Sequence, residues 1–147
     1  MKLYTVPIYG YKLHISIGED AKQIVSGINK KLKTVKLTPD DVNNIKGGFD
    51  EPKAVGFFLD LNISGHGLIW LDSKLDPKDS SNFIAMSHEV IHATVQVFEF
   101  IGTSVNTETE EPFCYLHDEL MKVCLRELEK SKNGNKNTVQ NKEGLLQ

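Results

Sequence analysis

The chain is poor in cysteine, in long apolar runs and in excess charge of either sign, and each shortage removes a class of protein. Its two cysteines, Cys114 and Cys124, stand ten positions apart on what reads as one helix, too far to bridge. The disulfide framework of a small secreted domain is therefore excluded, and both thiols read as small core residues. No segment approaches the roughly 20 apolar residues of a membrane-spanning helix, so no membrane is expected as a partner. The opening MKLYTVPIYGYKLHISIG alternates apolar and polar residues where a secretory signal would carry a continuous apolar core. Residence in a cytoplasm is the expectation.

Net charge is −3; Lys130, Lys132, Lys136 and Lys142 against Glu143 give the end of the chain +3, which leaves about −6 on the body before it. An acidic body repels phosphate backbones, so no nucleic-acid partner is expected. Lys30, Lys31, Lys33 and Lys36 form a local basic cluster that reads as a solvated helix end. No internal repeat is visible.

What is present is enough for one compact domain: 147 residues, 39% hydrophobic, can enclose a sizeable core. Residues 2–9 and 11–17 alternate around Gly10 and read as a hairpin, with Pro7 at an edge or bulge. From Glu19 to Leu32, Ile24, Ile28 and Leu32 recur at helical spacing, and Thr38-Pro39-Asp40 opens a short second helix that ends at Gly47-Gly48. Residues 54–61 and 66–71 read as an antiparallel pair across the loop Asn62–Gly65. Helix-start residues at Asp79, Ser80 and Ser81 and a stop at Gly102 frame a long helix over about 80–101. After the acidic loop Thr103–Glu111, Pro112 introduces a helix whose stripe Phe113, Leu116, Leu120, Val123, Cys124 and Leu128 extends to about Lys130. The expected architecture is α+β, a small, mostly antiparallel sheet packed on two helices, within a domain of residues 1–130. The Asn- and Lys-rich tail, 131–147, is expected to stay disordered unless a partner orders it.

The long helix carries the chemistry. Ser87-His88-Glu89-Val90-Ile91-His92-Ala93 contains H-E-x-x-H, which places two imidazoles one turn apart on one face, where both reach one Zn²⁺ and Glu89 reaches the metal's water. Val90, Ile91, Val95, Phe98 and Ile101 are spaced to cover the remaining surface, so the helix is expected deep in the core, where unpaired polar groups are costly. A catalytic zinc takes three protein ligands and keeps a fourth position open. The metzincin continuation would need glycine and histidine where Val95 and Phe98 stand, so that class is excluded. The third ligand is sought among Glu108, Glu110, Glu111 and His117. Glu111 is favoured because Pro112 fixes it at a helix start, one turn before Tyr115.

His88-Glu89-x-x-His92 followed by Glu111-Pro112-Phe113-Cys114-Tyr115-Leu116 resembles the small zincin-like proteins of bacteriophages, in which an H-E-x-x-H helix precedes a helix opening E-[A/P]-x-[A/C]-Y-L. It is loosely similar to the ImmA/IrrE metallopeptidases. The likeness covers about residues 53–128, without the helix-turn-helix domain often joined to ImmA. The resemblance implies a minimal zincin-like fold and a zinc-dependent peptidase. His88, His92 and Glu111 would be the ligands, Glu89 the general base, and Tyr115 or His66 the donor to the oxyanion. His66 opens the strand before the motif helix, where an extended peptide could pair. The implied setting is the host cytoplasm or the virion, with a phage or host protein as a partner for the tail. The competing expectation is a zincin-fold assembly or host-interaction protein whose metal site is structural or vestigial.

Overall fold

The computed structural model describes residues 1–50 and 54–143, with side chains through 133. Strands β1 (Lys2–Thr5) and β2 (Lys12–Ile17) pair antiparallel, as the alternation around Gly10 predicts. Helix α1 (Ala21–Lys31) starts at Asp20, whose carboxylate accepts from the Gln23 amide while the Gln23 side chain accepts from the Asp20 amide. These reciprocal bonds satisfy two amides that a helix start leaves unpaired. Helix α2 (Pro39–Gly47) repeats the device with Thr38 and Asp41. Strands β3 (Gly56–Asp60) and β4 (His66–Leu71) then form the second antiparallel pair.

The strand order is β1-β2-β4-β3, and β2 and β4 run parallel. The sheet is therefore mixed: two of its three pairings are antiparallel, in keeping with the mostly antiparallel sheet the sequence predicts, and the central one is parallel. Each hairpin is specified locally, but the way the two hairpins join depends on α1 and α2 carrying the chain back across one face, which strand alternation does not encode. All six residues of β4 are buried, as expected of a strand flanked on both sides. The free edge beside the motif helix is accordingly β3, not the strand that His66 opens.

Side chains leave the sheet in two directions and build two cores. Leu13, Ile15, Ile69 and Leu71 meet Met86, Val90, Val97, Leu120 and Cys124 on one side. Leu68 and Trp70 meet Ile24, Ile28 and Ile45 on the other. There Trp70 stacks on Phe57, lies edge-on to Phe49, and donates its indole N–H to the Glu19 carbonyl at 2.8 Å.

Helix α3 (Ser80–Phe100) starts at Asp79 and is followed by Gly102 at φ 70. Helix α4 (Glu110–Glu143) packs against it, and its backbone runs past Lys130, where the apolar stripe ends. The expectation that α3 lies deep in the core is not met. Met86, Val90, Ala93 and Val97 form its buried stripe, while Ile84 is 67% exposed and Ile91 43%. His88 stands two residues before Val90, about 200° around the helix, and so falls on the open side. Cys114 is likewise exposed and only Cys124 is a core residue, both as free thiols. Among the described residues no helix is long and apolar enough to cross a membrane.

Candidate metal centre on helix α3

His88 and His92 point together on the exposed face of α3, with their Nε2 atoms 3.0 Å apart and their rings edge to face. Two nitrogens bound to one tetrahedral zinc at about 2.0–2.1 Å would stand roughly 3.3 Å apart. The pair thus fits two corners of such a site with a shift of a few tenths of an ångström.

Glu89 turns away from solvent toward strand β3, where its Oε2 accepts from the Phe58 amide at 2.8 Å. Residues 57 and 59 bond inward to β4, so the Phe58 amide faces off the open edge and needs this partner. Gly56 lets the start of β3 lie close on β4: a Cβ there would stand 2.9 Å from the Leu71 side chain and 3.1 Å from the Trp70 carbonyl. Burial raises the Glu89 pKa, against the lowering effects of the Phe58 hydrogen bond and the two imidazoles. Glu89 is thus a half-buried carboxyl, raised in pKa by burial, on the residue next to His88.

The remaining residues do not complete the cluster. Among the described residues no three His, Cys, Asp or Glu side chains gather closely enough to hold a metal ion. Glu108, Glu110 and Glu111 are exposed before and at the start of α4. Glu111, one turn before it, raises the pKa of Tyr115, which is 66% exposed; the carboxylate is not gathered with the imidazoles. His117 meets the motif helix at Ser87, with its Nε2 3.3 Å from Ser87 Oγ.

His66 lies elsewhere. It is buried on the face of the sheet turned away from α3, where its Nδ1 meets Nε2 of His14 at 3.1 Å. The structure does not bring it to the His88–His92 pair. His14 was not singled out in the sequence; the signal was the K-L-H-I-S-I alternation, which puts it on the same face as Ser16.

Burial, then the His66 ring and the Lys31 and Lys12 ammoniums, push His14 down from its ordinary 6.5 to about 4, and burial and Lys12 lower His66 as well. The unfolded chain therefore binds these protons more readily than the folded one. The stability His14 confers is complete above about pH 6.5 and is lost as pH falls toward 4, by up to about 1.4 kcal/mol per pH unit, and His66 acts in the same direction. Denaturant midpoints measured across that window should decline, and less steeply in His14→Leu. An unchanged slope in that variant would remove the assignment.

The fold and this site describe an α+β protein with an H-E-x-x-H helix packed on one face of a small mixed sheet, beside its β3 edge. Compared with family models, with curated proteins and with solved structures, the chain matches none.

Proposed function

We propose that this chain is a zinc-dependent peptidase of the kind found in bacteriophages. The observation that carries the proposal is the convergence of the two imidazoles, Nε2 to Nε2, at 3.0 Å beside a carboxyl of raised pKa. His88 and His92 would hold the ion, with Glu111 as the third ligand drawn from the exposed first turn of α4. A zinc held there would supply a Lewis acid and a water of pKa about 7. Glu89 would take the proton from that water and deliver it to the leaving amine. Tyr115, one turn along from Glu111, would donate to the developing oxyanion. Strand β3 has an open edge beside α3, along which its outward backbone groups other than the Phe58 amide, held by Glu89, would receive an extended peptide.

The test is metal analysis of the purified chain together with hydrolysis of a quenched-fluorescent peptide library, with and without chelator. One zinc per chain in the parent, loss of that zinc in His92→Ala and chelator-sensitive cleavage are expected. A chain that binds no metal at micromolar zinc would sink the proposal.

The Glu89–Phe58 hydrogen bond supports a second reading. A carboxylate that pins the open edge of the sheet suits a zincin-fold assembly or host-interaction protein with a structural or vestigial metal site, and the two readings separate at Glu89.

A further inference from the structure

On the face of the sheet opposite α3, a cleft of about 640 Å³ opens between the end of α1, strand β2 and the β3–β4 loop. Lys12 reaches it from β2, and Lys31 and Lys33 from the end of α1; Asn62, Ser64 and His66 add polar groups, while Leu3, Leu32 and Ile63 supply an apolar wall. Its volume falls in the range of small-molecule sites, in which a few polar groups converge on a largely apolar surface. We infer that this cleft binds a small organic phosphate monoester, with the phosphate held by Lys12, Lys31, Lys33 and the His66 ring and an apolar body against Leu3, Leu32 and Ile63.

Three observations carry this inference. First, no acidic residue lines the cleft, and none of the three lysines is in an ion pair among the described residues. In a chain of net charge −3, three lysines from two separate segments therefore line one cleft that holds no acidic side chain. Cationic groups lining a concave surface raise the local concentration of anions. A solvated helix end would explain Lys31 and Lys33 but not Lys12, which is fixed on the sheet, and Lys30 and Lys36 lie off the cleft.

Second, the buried histidine pair sets the character of the wall. His14 Nδ1 is buried without a partner, and a bare lone pair there costs less than a stranded N–H. His14 therefore carries its proton on Nε2 and donates to His66 Nδ1, which leaves the His66 proton on Nε2. This tautomer is assigned from the hydrogen-bond network. His66 Nε2 has no hydrogen-bond partner among the described residues, and it is not among the solvent-sealed atoms. It faces the cleft as a neutral donor that can bond an anion without first taking up a proton.

Third, three ammoniums and one ring N–H match the charge and the terminal oxygens of a phosphate dianion better than a monovalent carboxylate.

The experiment titrates the whole chain with hexyl phosphate, hexanoate and hexanol, and follows the ring nitrogens of His66 by NMR. Hexyl phosphate should shift the His66 Nε2 resonance saturably, bind more tightly than hexanoate and lose about tenfold or more in affinity in Lys31→Ala/Lys33→Ala, a change of about 1.4 kcal/mol. Hexanol should leave the ring unmoved. Both lysines are exposed, so the double variant should unfold at the parent's denaturant midpoint, which separates lost binding from lost structure. The proposal is overturned if hexyl phosphate produces no saturable shift at His66, if hexanoate binds equally well, or if the double variant binds as the parent does. None of these results depends on the metal centre, which lies on the other side of the sheet.

Discussion

On the proposed peptidase function, Glu89→Gln is expected to keep the fold and zinc binding and to lower peptide hydrolysis by about 10²–10⁴-fold, the usual contribution of a positioned general base. The amide oxygen of glutamine can still accept from the Phe58 N–H, which Glu89 now holds at 2.8 Å. Proton transfer alone is removed. Because burial raises the Glu89 pKa, its ionised form is disfavoured in the folded chain, and the neutral amide should be at least as stable. Glu89→Ala removes the acceptor too and should cost about a further 1 kcal/mol from the unpaired strand amide. Denaturant unfolding, metal analysis and cleavage assays on both variants separate the two roles of this residue. Undiminished hydrolysis in Glu89→Gln would leave the clamp on β3 as its only function.

Asp41→Ala should be the most damaging single change at a polar position, destabilising by about 3 kcal/mol through a lost cap and stranded amides. Asp41 is 2% exposed. Its Oδ2 accepts from the Thr38 amide and hydroxyl at 2.8 and 2.7 Å, and its Oδ1 from the Asn62 amide at 2.7 Å. One carboxylate thereby starts α2 and ties it to the β3–β4 loop. Burial alone would raise its pKa, but the bonds from Asn62 and Thr38 outweigh burial and hold it below the ordinary 3.8. The stability it confers is therefore present above about pH 4 and is lost as pH falls through the lowered folded value. That window lies below the one set by His14. An acid-unfolding profile that Asp41→Ala leaves unchanged below pH 4 would contradict the assignment.

The elements were legible in the sequence wherever a local device marked them. Asp79 opens α3, Thr38-Pro39 opens α2, and the alternation on either side of Asn62–Gly65 marks β3 and β4, because capping and pleat act over a few residues. The parallel join of β2 to β4 was not legible, since it depends on contacts between segments far apart in sequence. Nor was the orientation of the motif helix. Ile91, Val95 and Ile101 made the helix read as apolar over the rest of its surface, although Met86, Val90, Ala93 and Val97 suffice to seat it, and surplus apolar residues on an open face are common. At the candidate centre, the spacing of His88 and His92 gave their proximity directly, because one helix carries both. Glu111 belongs to another helix, and its place depends on the path of Thr103–Thr109, which no motif encodes. His66 read as a lone histidine because its partner, His14, comes from a strand that only the tertiary fold sets beside it.

The parallel ladder between β2 and β4 also bears on how quickly the chain reaches its native state. The β1–β2 and β3–β4 hairpins each close over a short turn, an event on the order of 1–10 μs. The seam from Lys12 against His66 to Ile17 against Leu71 cannot zip until all of α1, α2 and β3 has been gathered between its two halves. That closure costs chain entropy before any ladder bond is made. The slowest step of folding should therefore be the docking of one finished hairpin on the other, and both cores, with the sites on the two sides of the sheet, come into being only when that seam has closed.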